Sequence, residues 1–181
     1  MYKTYELAHI LIKEHVKDND LVVDATCGNG FDTLFLSKLV PNGKVLAYDI
    51  QETAIRNSKT LTKDCNNIEF FLTSFENINV SNCSCVMFNL GYLPNGDKNI
   101  TTTKDQTINA ISNLVNSFDV NPDMVIFIIA YPGHDNGFIE SNAIDEYIKT
   151  LDSKLYLATT FKPVNQVNAP YLITINKKKN R

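Results

Sequence analysis

Tryptophan is absent from this chain of 181 residues, and glycine (7), proline (6), methionine (3) and cysteine (4) are sparse. So little glycine and proline excludes collagen-like and low-complexity chains. No apolar run approaches the ~20 residues of a membrane-spanning helix. The start, Met1-Tyr2-Lys3-Thr4-Tyr5-Glu6, lacks the apolar core and cleavage site of a secretion signal, so a cytoplasmic location is expected. No pair among Cys27, Cys65, Cys83 and Cys85 has C-x-x-C spacing, which argues against a metal or redox site, and without a secretion signal disulfides are not expected. Cys83 and Cys85 stand two apart in a strand pattern, and should share one face as small core residues. Excess positive charge is also missing. The formal net charge is -3 and the pI about 5.6. Such a chain is not coated for general nucleic-acid binding, and a nucleic-acid substrate would need a local basic patch or a partner subunit. The dense basic run is Lys177-Lys178-Lys179-Asn180-Arg181, which reads as a solvated tail.

What is present is a hydrophobic fraction of 44%, enough for a single domain over residues 1–181 with a sizeable core. Apolar periodicity predicts a leading helix from Tyr5 to Val16, then strands alternating with helices. The strands are expected at Leu21–Ala25, Val45–Asp49, Ile68–Leu72, Cys83–Leu90 and Met124–Ala130, the last being the most apolar and central. Helices are expected at Asp32–Leu39, Glu52–Lys63, Thr103–Phe118 and Asn136–Leu151, with Thr103 and Gln106 forming a capping box. Leu155–Thr160 and Tyr171–Ile175 form a closing strand pair around a proline-containing connection. The alternation implies an α/β fold: a mostly parallel seven-stranded sheet with an antiparallel edge strand and helices on both faces.

The most informative stretch is Asp24-Ala25-Thr26-Cys27-Gly28-Asn29-Gly30, between a predicted strand and a helix that opens at Asp32-Thr33. A glycine turn there lets a ligand approach the backbone. Asp49 ends the next strand about nineteen residues past Gly30, where an acid accepts hydrogen bonds from ribose hydroxyls. The two features point to an adenosine-type cofactor. A third glycine and a following lysine are both missing, so neither the dinucleotide fingerprint nor a P-loop is present. Asp24 would repel a pyrophosphate and suits the cationic amino group and sulfonium of S-adenosylmethionine. The candidate cofactor contacts are Asp24, Cys27, Gly28, Asn29, Gly30, Asp32 and Asp49, with Gln51 reaching the ribose or adenine edge. Ser74 and Phe75, after the third strand, would contact adenine. A nicotinamide-dependent oxidoreductase and a non-catalytic adenosine-nucleoside sensor are the rival readings from other classes.

The fourth predicted strand ends in Asn89-Leu90-Gly91-Tyr92-Leu93-Pro94. Asn89 can orient an amine through its side-chain oxygen, and Tyr92 can stack on a flat base. Positioning would supply most of the catalysis, and no metal is required. His134, in Tyr131-Pro132-Gly133-His134, follows the fifth strand and could accept a proton or contact a phosphate. Cys27 lies inside the cofactor loop, a poor place for a nucleophile. His9 and His15 receive no role.

These motifs resemble one family along nearly the whole chain. Asp24 to Gly30 with Asp32-Thr33 resembles the first motif of class I methyltransferases, with Thr26 in place of its first glycine. Asn89 to Pro94 resembles the Asp/Asn-Pro-Pro-Tyr/Phe motif of amino-group methyltransferases. Together with Tyr48-Asp49-Ile50-Gln51, Gly96-Asp97-Lys98, Tyr131-Pro132-Gly133-His134, Gly137, Glu140 and Asn165-Gln166-Val167-Asn168-Ala169-Pro170, they are similar to the small methyltransferases long labelled rRNA methylases. Tyr171 stands where that family has a second proline. The resemblance implies a Rossmann-like class I fold. It also implies methyl transfer from S-adenosylmethionine, leaving S-adenosylhomocysteine, to 5-aminomethyl-2-thiouridine at the tRNA wobble position. The product is 5-methylaminomethyl-2-thiouridine. The partner would be the anticodon stem-loop of tRNA, with no membrane, and a homodimer would extend the RNA-binding face. The implied ammonium must lose its proton, for which His134, Tyr92 and Asp97 are candidates. Lys98 and the C-terminal basic run would meet tRNA phosphates. The alternative is methylation of another RNA base, a protein or a small-molecule amine.

Overall fold

The computed structural model describes residues 3–78, 81–91 and 102–179. Helix α1 (Thr4–His15) leads, followed by β1 (Leu21–Asp24), α2 (Phe31–Leu39), β2 (Lys44–Asp49), α3 (Glu52–Leu61), β3 (Ile68–Leu72), β4 (Cys83–Asn89), α4 (Lys104–Asn116), β5 (Val125–Ala130), α5 (Asp135–Thr150), β6 (Tyr156–Phe161) and β7 (Tyr171–Lys177). These strands form one sheet in the order β3-β2-β1-β4-β5-β7-β6. Strands β1 to β5 are parallel, and β7 runs antiparallel between β5 and β6. The expected antiparallel strand is thus β7, with β6 outside it. Strand β4 is the middle one, and β5 lies beside it rather than at the centre.

Alternation along the strands builds two cores. Val23, Val86, Phe88, Ile126 and Ile128 pack on Ile111 and Leu114 of α4 and Ile144 of α5. Val22, Val45, Met87, Phe127 and Ile129 pack on Ala8 and Ile12 of α1 and Leu36 of α2. All three leading helices therefore cover one face and α4 and α5 the other, as a doubly wound sheet requires.

Two local expectations change. Cys83 and Cys85 are both buried but join opposite cores, because a bulge between the Leu21–Cys83 and Val22–Cys85 pairs inserts a residue and reverses the alternation. At α4 the Thr103 hydroxyl donates to Gln106 Oε1 at 2.9 Å, so the side chains pair with each other and the Thr103 side chain makes no cap bond to the helix backbone, while its carbonyl accepts the Thr107 amide at 3.0 Å. The parallel strands all deliver their C-terminal ends to one edge of the sheet, and in open α/β sheets that edge carries the ligand crevice.

Candidate active site

A cavity of about 620 Å³ opens at that edge. One half is built by the turn after β1. Gly28 and Gly30 adopt φ of 49° and 91°, left-handed values that glycine reaches without strain. A Cβ on Gly30 would lie 2.7 Å from the Ser58 backbone, so glycine there also lets α2 and α3 approach. Ala25 to Asn29 line the cavity with Asp49, Ile50, Gln51, Thr73, Ser74 and Phe75. Asp49 accepts the Gly28 amide at 3.0 Å and the Gln51 amide at 2.9 Å, which fixes its carboxylate between the two strand-end loops. Burial raises its pKa, partly offset by those amides. Ile50 is 48% exposed at the cavity wall. The Ser74 hydroxyl caps the short turn that follows β3 by accepting the Glu76 amide at 3.2 Å. Phe75 is buried edge-on against Phe88 while lining the cavity.

Asp24 stands behind this wall and does not line it. It is fully buried, accepting the Thr26 amide at 3.2 Å and the Thr33 hydroxyl at 2.6 Å. Burial first, then the charge of Asp32, pushes its pKa from 3.8 up to about 7. The direct cationic contact expected from the sequence is replaced by a bracing role, since both carboxylate oxygens hold the turn. Gly30 likewise supports the wall from behind. Burial and the acids Asp24 and Asp49 push the Cys27 thiol far up, which removes it as a nucleophile.

The other half begins at the end of β4. Thr26, which departs from the glycine of the motif, joins the two halves. Its Oγ1 accepts the Asn89 amide at 2.8 Å and donates to the Asn89 carbonyl at 3.2 Å. The Asn89 side-chain N–H donates to Asp32 Oδ2 at 2.8 Å, and His9 Nε2 lies 2.7 Å from Asp32 Oδ1. Phe31, Thr102, Gln106, Tyr131, His134, Asn168 and Pro170 also line this half. Burial, with the charge of Asp32 second, pushes the Tyr131 phenol up to about 12, so it remains a neutral hydroxyl.

Residues 45–177 match the family described as "Putative rRNA methylase". The chain is 30% identical to a protein of Arabidopsis thaliana named tRNA (mnm(5)s(2)U34)-methyltransferase, chloroplastic, over 98% of this chain and 70% of that relative. The chain belongs to this family. Two solved structures agree. A crystal structure described as a "putative rRNA-methylase" from Clostridium thermocellum has a TM-score of 0.88 at 36% identity, covering 98% of this chain and 99% of that one. A "putative methyltransferase" from Streptococcus mutans, solved in complex with SAH, has a TM-score of 0.86 at 27% identity, again covering 98% and 99%. The fold is that of class I methyltransferases, and the chain is an S-adenosylmethionine-dependent RNA methyltransferase.

As a member of the rRNA methylase family, the chain keeps its motif residues around one cavity. Cys27, Gly28, Asn29, Asp32, Asp49, Gln51, Ser74, Phe75, Asn89 and His134 all line it. Tyr92, Asp97 and Lys98 lie outside the described residues. His134 proves to be the cap of α5: its Nδ1 accepts the Gly137 amide at 3.0 Å. With Nδ1 as acceptor the neutral ring carries its proton on Nε2, which makes that nitrogen a donor rather than a base. His9 was missed because its partner Asp32 is 23 residues away and on another helix. Ile50 and Phe31, which is 70% exposed at the mouth, were also missed. A large apolar residue beside Asp49 and an aromatic one directly after Gly30 were the available signals.

The described part of the C-terminal basic run, Lys177 to Lys179, is misplaced for the role expected of it. Because β7 is antiparallel, Asn176 pairs with Val125 at the start of β5, while Tyr171 pairs with Ala130 at the cavity end. Lys177 and Lys179 therefore sit at the opposite edge of the sheet, paired with Asp119 at 2.7 Å and Asp123 at 2.8 Å.

Proposed function

We propose that the protein transfers a methyl group from S-adenosylmethionine to the exocyclic amine of 5-aminomethyl-2-thiouridine at the tRNA wobble position, giving 5-methylaminomethyl-2-thiouridine. The Arabidopsis relative's name supports this acceptor, and the SAH in the Streptococcus mutans structure supports the cofactor. The residues fit that cofactor. Asp49 would take the ribose hydroxyls, Ile50 and Phe75 would flank the base, and the backbone at Gly28 leaves room for the amino-acid portion. The acids Asp32 and Asp49 suit a cationic ligand and oppose a polyphosphate. When bound, S-adenosylmethionine supplies an electrophilic methyl group on a sulfonium.

The observation that carries the reading is the Asn89 amide. One of its two side-chain N–H groups donates to Asp32 and its backbone is held by Thr26, which fixes the amide with Oδ1 as its acceptor at the wall between the two halves. That oxygen can accept a hydrogen bond from an amine and turn the nitrogen lone pair toward the cofactor half. An alkylammonium has a pKa near ~10 and no lone pair to attack with. Desolvation on entering the cavity disfavours the charged form, so the ammonium releases its proton to solvent before it meets Asn89, against the opposing charge of Asp32. Phe31 offers a stacking surface for the base at the mouth. Catalysis is then mostly alignment of two reactants in a closed space.

Asn89→Ala is the direct test. It should lower kcat by about a hundredfold, the usual order for a lost oriented polar contact at a reacting centre, while calorimetry finds S-adenosylhomocysteine bound about as tightly as by the wild type. Full turnover on tRNA lacking the modification would remove the role of Asn89.

A further inference from the structure

The acceptor wall contains a hydrogen-bonded chain, His9–Asp32–Asn89, whose outer member takes no part in lining the cavity. Resting on the reading of Asn89 as the group that orients the acceptor, we infer that His9 is a positioning residue for methyl transfer: through Asp32 it holds the Asn89 amide so that Oδ1, and not Nδ2, meets the amine. The imidazole is itself tightly held. It stacks on Phe35 with centroids 3.6 Å apart and planes 5° from parallel, and Tyr5 meets it edge-on at 5.8 Å. That sandwich aims Nε2 at Asp32 Oδ1, at 2.7 Å, with the imidazole N–H donating to the carboxylate. The second carboxylate oxygen takes the Asn89 N–H at 2.8 Å.

An ionised carboxylate only accepts hydrogen bonds. The Asn89 side chain must therefore turn its nitrogen toward Asp32 and its oxygen away. A flipped amide would set two acceptors against each other at Asp32 and present an N–H donor to the N–H groups of the substrate. Both bonds to Asp32 are charge-assisted, the stronger class of protein hydrogen bond. Removing His9 frees Asp32 to leave this rotamer or to be satisfied by water, and with it goes the constraint on the amide. Helix α1 does not depend on His9 to stay docked, because Ala8 and Ile12 are fully buried in the core beneath it.

The test compares His9→Phe, which keeps the ring stack and removes the donor, with His9→Gln, which returns an N–H near the position of Nε2. Labelled methyl transfer into tRNA from cells lacking the gene gives kcat and KM. Calorimetry gives the Kd for S-adenosylhomocysteine. His9→Phe should lower kcat about tenfold, as loss of a supporting partner commonly does, with KM and Kd within about twofold of wild type. His9→Gln should recover most of that loss. Asp32→Asn, which can offer an N–H to Asn89 and permit the flipped amide, should show the same kcat loss if His9→Phe folds poorly. In an Asn89→Ala background, His9→Phe should cost nothing further. Wild-type kcat in His9→Phe, a loss confined to cofactor affinity, or an undiminished loss in the Asn89→Ala background would each overturn the inference. Label in a tRNA nucleoside other than the proposed one would overturn the acceptor assignment while the His9 comparison still decides the inference. No label in any tRNA would overturn both.

Discussion

Asp24 carries its carboxyl group where no water reaches it, and the consequence can be measured. Its folded-state pKa is about 7 against 3.8 for a solvated aspartate, mainly through burial and secondarily through Asp32. Between those values the folded chain holds a proton that the unfolded chain has released. Stability contributed by this group therefore falls as pH rises through the window, and above about 7 the cost of the buried charge is fully present. Asp24→Asn removes the titration, while its amide can still accept from the Thr26 amide and donate to the Thr33 hydroxyl. Without ligand, the variant's melting temperature relative to wild type should rise from pH 5 to pH 7 and stay level above it. A difference that does not vary with pH would contradict this account of the buried carboxyl. Local chemistry made the site legible at this scale: the glycine turn and Asp49 are each recognised from a few neighbouring residues. The role of Thr26 was hidden, since its hydroxyl serves Asn89, 63 positions along the chain.

At the scale of elements, the start of α5 is the tightest junction near the site. A Cβ on Gly137 would lie 2.1 Å from the Tyr131 carbonyl oxygen and 2.8 Å from the His134 ring. Gly137→Ala should push the helix off the β5 loop and cost about 1–3 kcal/mol of stability, the usual range for overpacking against a fixed backbone. His134→Asn, by contrast, substitutes another good N-cap residue. It should keep most of the wild-type turnover and melting temperature, because His134 serves α5 through Nδ1. A hundredfold loss of turnover at unchanged stability would instead make His134 a catalytic group. Patterning located the helices, each of which buries one regular face, and the central strands, which read as short apolar runs because both of their faces are buried. It failed at Cys83 and Cys85, where a bulge depends on pairing with β1 and leaves no mark in the sequence of β4. It also missed the turn at Phe75–Asn77, which is too short for any period to register.

For the whole molecule, the antiparallel direction of β7 separates the basic tail from the reaction. The tail's lysines lie at the far edge of the sheet, whereas Lys104 and Lys162 stand at the cavity edge. Lys104 opens α4 between the cavity-lining Thr102 and Gln106. Lys162 follows the cavity-side end of β6 and lies over the Tyr171 ring at 4.6 Å. A chain of net charge -3 needs such local cations to meet a polyanion. Replacing Lys104 and Lys162 by Gln should raise KM for tRNA and reduce its salt dependence by about one unit of slope per lysine. The same replacement at Lys177 and Lys179 should leave both unchanged, and the reverse pattern would contradict this placement. The sequence alone could not separate the two groups, because the end of the sheet to which a lysine belongs depends on strand direction. Among the described residues, no helix is long and apolar enough to cross a membrane.

The central claim is the acceptor, and nucleoside mass spectrometry of tRNA tests it most directly. In cells lacking the gene, the account predicts accumulation of 5-aminomethyl-2-thiouridine and loss of its methylated product, with restoration by the wild-type gene and not by Asn89→Ala. An unchanged nucleoside profile in those cells would contradict it.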